Sequence, residues 1–541
     1  MSGQKQVSPD GVRWWEVAAS GSPTDHKLLL VGSYDHAPVV TTNATVTVPT
    51  FHPGPALLGG DPFATTFTTF NGRIYIGALV GSVPNGDPGG MRFTYYDPGQ
   101  TMTQWSANPI TTIANDGLAD KPWLAIGPSS VPFGEINYYT MSMRSGTGCA
   151  TDKVWVYRAP VSSIFSPWAS NSAIPINPAA SNCESTPTCN YRGWGSMPVV
   201  TDEGDIVAVV RDTNVGSGGP GCYNERRPYV IWSDDDGYTW QPGGSVPIKL
   251  GDGLVEAIGT KVPATAISDT PFYVDRRANA PSIAIDRATN TIYVAFAGRS
   301  GITPEGEPDG NSDIWIFRGT KDFPTQQWIF GTDPDDVLHL TDDMLDLDIN
   351  TDGRGPDQFM PAIAIDCAGA INLMFYDNRA ETEAPTIPDA SNTEDGRLVE
   401  VYYARITGWP NGTTNVYTKA LTPEPFAVFP SDGYLGDYHT IASGGSAGKW
   451  LYPVYIGKGV INPPPSGPGD WGVPTCYAHS VFIRLCTADT NQNRMADSND
   501  LQVFWDAYAE GEELADVTDD GLVNGDDVDE FIDVYSDVIG G

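Results

Sequence analysis

Four times in this chain a proline opens an apolar run that stops at a turn and resumes as a second apolar run. The opening segments are Lys121-Pro122-Trp123-Leu124-Ala125-Ile126, Met197-Pro198-Val199-Val200, Ala280-Pro281-Ser282-Ile283-Ala284-Ile285-Asp286 and Met360-Pro361-Ala362-Ile363-Ala364-Ile365-Asp366. Partner runs follow at Ile206–Arg211, Thr291–Ala297 and Ile371–Tyr376, and outer runs at Val154–Arg158, Tyr229–Ser233, Ile314–Arg318 and Val401–Arg405. Short apolar or alternating runs between Gly and Pro turn signals read as strands, and helical periodicity is almost absent before residue 486.

The units recur at a spacing of roughly 60–85 residues, longer than compact propeller repeats and open to loop insertions. Two looser segments, Asp61–Gly77 and Gly436–Tyr455, flank them. Counting both flanks, the spacing predicts six units of four strands, an all-β six-bladed propeller over residues 1–485 in which the N-terminal segment helps complete a blade. A pair of β-sandwiches shares the strand and turn signals; repetition at the scale of a whole unit favours the propeller.

Residues 486–541 obey a different rule. From Asp489 and again from Asp516, oxygen-bearing side chains recur at loop positions 1, 3, 5, 9 and 12. That is the ligand pattern of a calcium loop, and apolar residues at helical spacing follow each one. The first set is Asp489, Asn491, Asn493, the Met495 carbonyl, Asp497 and Asp500; the second is Asp516, Thr518, Asp520, the Leu522 carbonyl, Asn524 and Asp527. Arg494 stands at the sharp-turn position that Gly521 fills in the second loop. The bland alternative is an acidic, solvated tail without metal.

With Asp rather than Glu at position 12, the duplicated loops resemble the dockerin family. The resemblance implies a small all-α, EF-hand-like pair binding two calcium ions and a cohesin-like or cell-surface scaffold partner. A second resemblance lies in Ser233-Asp234-Asp235-Asp236-Gly237-Tyr238-Thr239-Trp240, which matches the Asp-box hairpin of sialidase-like (BNR-repeat) propellers. Asp235 is suited to accept N–H bonds within the turn, Gly237 to adopt positive φ and Trp240 to pack on the blade. Phe375-Tyr376-Asp377-Asn378-Arg379 and Leu435-Gly436-Asp437-Tyr438 also look like segments of such propellers.

This second resemblance implies a glycan ligand. It also implies a site of three arginines that hold a carboxylate, a tyrosine nucleophile activated by an acid, and an aspartate acid/base. Arg277, Arg354 and Arg379 are the candidate anion clamp, since forked guanidinium groups suit carboxylates. Tyr438 beside Asp437 is the candidate nucleophile pair. The family's Arg-Ile-Pro motif is missing; the nearest text is Arg73-Ile74-Tyr75. The bland reading has Asp377 pairing with Arg379, Asp437 capping a turn and Arg277 tying blades together, because fold alone does not confer activity.

Charge narrows the function classes. The chain carries 67 acidic against 30 basic residues, and 16 of those acids, with Arg494 as the one base, lie in residues 487–541. Such a surface repels phosphate backbones, which argues against nucleic acid as a partner. No run approaches a membrane span. The opening MSGQKQVSPDG lacks a secretory pattern, yet calcium loops and cysteine pairs point to an extracellular or cell-surface location. Of seven cysteines, Cys183 with Cys189 and Cys476 with Cys486 are placed to pair, and Cys367 reads as a buried free thiol. None of the six histidines shows zinc spacing, and His439 reads as a structural histidine.

Overall fold

The computed structural model describes residues 5–7, 17–21, 29–33, 39–42, 44, 51–53, 62–64, 73–80, 90–97, 99–106, 111–113, 118–130, 137–145, 153–160, 169–174, 193–212, 228–240, 246–247, 256–257, 281–299, 312–322, 324–330, 334–340, 358–377, 379, 397–410, 412–428, 439–444, 449–458, 474–490, 494–512, 515–518 and 522–540. Within them the chain is mostly β, and its strands form seven antiparallel sheets.

Each sheet is built on a meander that begins at an inner strand; in sheet five Glu256–Ala257 pairs beside that strand, and in sheet seven Lys5–Gln6 adds to the outer edge. These first strands are Val17–Gly21, Pro62–Ala64, Leu118–Gly127, Gly193–Val200, Ser282–Asp286, Gln358–Ile365 and Thr440–Gly444. Each touches the first strand of the next sheet, and Thr440–Gly444 touches Val17–Gly21, so the cycle closes. This is propeller architecture with seven sheets where the repeat count predicted six. The added sheet comprises Val17–Gly21, Leu29–Ser33, Val39–Thr41 and His52–Pro53, which carry no proline-led mark. Lys5 and Gln6 pair with Ala478 and Tyr477, and the Val7 N–H bonds to the Cys476 carbonyl at 2.8 Å. The N-terminal strand is therefore the outermost strand of the seventh sheet and ties the two ends of the ring.

The recurring proline has a mechanical reason. Proline cannot donate to a ladder and is tolerated on an edge strand or at a bulge. The innermost strands are edge strands, and the register shifts at Lys121-Pro122 and Met360-Pro361. Met360 takes φ of 52° there, a left-handed conformation uncommon for an unbranched apolar residue. After the shift, Ala362, Ile363 and Ala364 return to register with Met374, Leu373 and Asn372 and bury against neighbouring sheets.

The turn from first to second strand defines one face of the ring, at Thr201–Asp205, Arg287–Asn290 and Asp366–Ala370 in sheets four to six. The Asp-box lies on this face and behaves as the sequence predicts. Asp235 accepts the Thr239 N–H at 2.8 Å and its hydroxyl at 2.6 Å, Gly237 has φ of 78°, and Trp240 is buried beside Ile206 and Val156. The adjacent Asp236 does something the motif does not announce. Its carboxylate accepts the Ser129 hydroxyl at 2.5 Å and the Ser130 N–H at 2.8 Å, joining sheet four to sheet three.

Helices dominate the C-terminus: Arg484–Ala488, Ser498–Glu510 and Gly525–Gly540. Phe504 and Phe531, each four residues past a loop's position 12, stack at 3.9 Å within a separate core that includes Ala507, Val517, Val534 and Tyr535. This helical segment is fastened to the ring. Cys486 forms a disulfide with Cys367 in the Asp366–Ala370 turn, which overturns both sequence readings of these cysteines. Cys476 is instead a buried cysteine outside that disulfide, because its strand carries it into the core of the seventh sheet, away from Cys486. Cys183 and Cys189 lie outside the described residues.

Candidate functional site

At the opposite end of sheet six, Gln358, Asp377 and Glu400 stand in one cross-strand row. Asp377 is fully buried; its Oδ1 accepts the Arg379 N–H at 2.6 Å and its Oδ2 the Arg379 guanidinium at 2.9 Å. The Gln358 amide approaches the same carboxylate at 3.4 Å. Burial pushes the Asp377 carboxyl upward against the opposing pull of Arg379. The guanidinium lies 3.5 Å over the Tyr402 ring, and Tyr402 donates its hydroxyl to Glu400 at 3.2 Å. Burial raises the Tyr402 phenol, the reverse of what an activated nucleophile needs, and raises the Glu400 carboxyl too.

Arg379 thus pairs with Asp377, as the bland reading had it, and its guanidinium also stacks on Tyr402. Arg277, Arg354, Asp437 and Tyr438 lie outside the described residues. By sequence they fall in the segments that enter strands Ser282–Asp286, Gln358–Ile365 and Thr440–Gly444. Gln358, Glu400 and Tyr402 were missed because each belongs to a largely apolar strand, where a single residue carries no mark of its own. His439 is buried beside Tyr376, ring centroids 4.9 Å apart, and burial lowers its pKa to about 4.

The two acidic loops repeat one geometry. Asp489 accepts the Arg494 N–H at 2.5 Å, and Arg494 takes φ of 71°, the left-handed turn that position six requires. Position 9 caps a helix while position 12 reaches back. Asp497 accepts the Asn499 N–H at 2.7 Å, and Asp500 accepts the Asp497 N–H at 2.7 Å. In the second loop Asn524 accepts the Asp526 N–H at 2.8 Å, and Asp527 accepts the Asn524 N–H at 2.8 Å. These are capping boxes built from the same residues that the ligand pattern assigns. Thr518 bridges two acids, its hydroxyl lying 2.9 Å from Asp527 and 3.4 Å from Asp516.

Asp500 and Asp527 are fully buried, and Asp489 and Asp516 nearly so. Met495 and Leu522 point their side chains outward, leaving the backbone carbonyl as the group each can offer. Asn491, Asn493 and Asp520 lie outside the described residues. Among the described residues, no three His, Cys, Asp or Glu side chains converge as a metal cluster. The donors on hand are all oxygen, which is the chemistry a hard cation takes. Outside the two loops, the acidic segments Asp333–Asp336 and Asp342–Asp352 were also candidates for a cation by their sequence; Asp336 is paired with Arg318 at 2.8 Å, and 342–352 lies outside the described residues.

The chain matches no protein-family profile and no curated protein. Among solved structures it is similar to the Penicillium chrysogenum alpha-L-arabinanase complexed with arabinobiose, at 11% identity and a TM-score of 0.38 over 77% of this chain and 92% of that one. It is also similar to the Hadza microbial sialidase Hz136, at 12% and 0.36 over 84% and 73%. The BP39L lectin from Burkholderia pseudomallei gives 11% and 0.42 over 87% and 96%. The ring order described above stands on strand pairing, not on these likenesses.

Proposed function

We propose that this chain is a glycan-directed propeller of the cell exterior that carries a calcium-loaded helical module on the face opposite its ligand site. The observation that carries the ligand reading is the row Gln358, Asp377 and Glu400 with Arg379 and Tyr402, at the end of sheet six away from the turn face. Tyr402 and Glu400 are its part-exposed members, and an aromatic ring beside a carboxylate suits the C–H and hydroxyl groups of a sugar. The matched charge of Arg379 and the raised Tyr402 phenol favour binding over hydrolysis. Sialidase-type hydrolysis is the second reading, and it rests on Arg277, Arg354, Asp437 and Tyr438. A glycan array and release of a chromogenic sialoside separate the two. Retention without turnover supports binding. Turnover that is lost in Y438F supports hydrolysis. Silence in both assays leaves a structural or protein-binding propeller.

Calcium would be held by the two loop sets, from Asp489 to Asp500 and from Asp516 to Asp527, and would supply the counter-charge that lets these carboxylates gather. Chelator added to the full chain should raise hydrogen exchange in Ser498–Glu510 and Gly525–Gly540 while sheet strands stay protected. Unchanged exchange in both helices removes calcium from the proposal. A cohesin-like or surface scaffold partner would then meet the module's outward face; calcium-dependent pull-down with a cohesin domain tests that arm.

A further inference from the structure

Arg494 belongs to two structures at once. Its backbone N–H closes the first loop on Asp489, the loop's first acid. Its side chain leaves the loop and donates to Oδ1 of Asp286, 208 residues earlier, the last residue of the inner strand of sheet five. Asp286 is buried and held in place by the Ala288 N–H at 3.1 Å and the Thr289 hydroxyl at 2.6 Å. The guanidinium passes over Gly369 in the turn of sheet six, where an added Cβ would meet Nη1 at 2.4 Å. Glycine keeps that slot open, and Asp366 of the same turn adds attraction. The second loop has Gly521 at the matching position and so no such reach.

We infer that docking of the first loop on the propeller and cation binding in that loop are coupled through Arg494, so that the propeller raises this loop's affinity for calcium. The inference rests on the calcium reading above. A guanidinium in a calcium loop is the wrong sign for a divalent cation. Drawn out onto Asp286, its charge is matched and displaced from the ligand oxygens. The left-handed backbone that places it is also strained for a residue with a side chain, and contacts at both ends hold it. Coupling of this kind is reciprocal, so calcium in the first loop also tightens the module on the ring.

The test is a calcium titration of the full chain followed by hydrogen exchange, read separately in peptides covering 494–512 and 522–540. D286N should raise the calcium needed to protect the first region about tenfold and leave the second unchanged. In an R494G background, D286N should make no difference, since the pair is already gone. G369A, which displaces the guanidinium without removing either charge and adds the strain of a φ of 75°, should give the same selective shift and serves if D286N fails to fold; protection of strand Thr291–Arg299 reports on that. Unchanged first-region midpoints while both regions titrate, or equal shifts in both, overturn the inference. If neither region responds to calcium, the calcium reading falls and takes the coupling with it.

Discussion

Cys367 and Cys486 are covalently joined, with Cα atoms 5.7 Å apart at a sequence separation of 119. The bond links a turn of sheet six to the short helix that leads into the acidic module. Together with Arg494 on Asp286 and the buried Lys449 ammonium 3.5 Å from the Val517 carbonyl, it makes the module part of the ring's turn face.

Closing so long a loop restricts the unfolded chain far more than the folded one. The double variant C367A/C486A should therefore lose about 2–4 kcal/mol of stability, read as a lower urea midpoint. Wild-type protein under reducing conditions should fall by a similar amount. Equal midpoints for the variant and the oxidised wild type would show that the bond does not constrain the chain.

The Asp-box yields a second prediction, chosen because it should not touch function. D235A removes the acceptor of the Thr239 N–H and hydroxyl and of the Ser233 hydroxyl. The turn is partly exposed, so the loss should be about 1–2 kcal/mol. Glycan retention should be unchanged, because the box and the Arg379 row lie at opposite ends of their strands. A seven-residue strand such as Ile371–Asp377 spans about 20 Å. Lost retention with intact stability would put the ligand on the turn face.

The strand pattern was legible where apolar alternation met a turn. Ile206–Arg211, Ile371–Tyr376 and Val401–Arg405 all fall inside observed strands. The count failed at Val17–Gly21 and its partners, where the sheet is short-stranded and lacks the proline-led run that marked sheets three to six. The cysteine pairing failed for a different reason. Sequence distance made Cys476 and Cys486 look adjacent, but the antiparallel ladder puts Cys476 opposite Ile456 in the seventh sheet, and the chain then turns toward sheet six. Arg494 was noted as an anomaly within its loop; nothing local could say that its partner was Asp286.

His439 gives a pH dependence. Burial lowers its pKa to about 4, against about 6.5 in an unfolded chain. The folded state therefore binds fewer protons, and the stabilising contribution is whole above pH 6.5. It is lost as pH falls from about 6.5 toward 4, to a total of about 3 kcal/mol. Urea unfolding at pH 7 and pH 4.5 should show a steeper decline for wild type than for H439N. The baseline of the variant will be lower because a packed ring is gone, so the comparison lies in the slope. Parallel declines would mean that His439 stays neutral in neither state more than the other.

Arg379 decides between a structural and a ligand-holding role. Asp377 is fully buried, and the described contacts that oppose its desolvation are Arg379 and Gln358. Removing one member of a buried pair strands the other, at a cost of about 3–5 kcal/mol. R379A should therefore lower stability by about 3 kcal/mol, tempered by the guanidinium's partial exposure. R379A/D377N should recover much of it, since the stranded charge is gone. R379K keeps a charge but not the fork or the flat stack on Tyr402, and should fall between. The opposite pattern, full stability in R379A with glycan retention abolished, would mean that Asp377 needs no partner and that the guanidinium serves a ligand carboxylate instead.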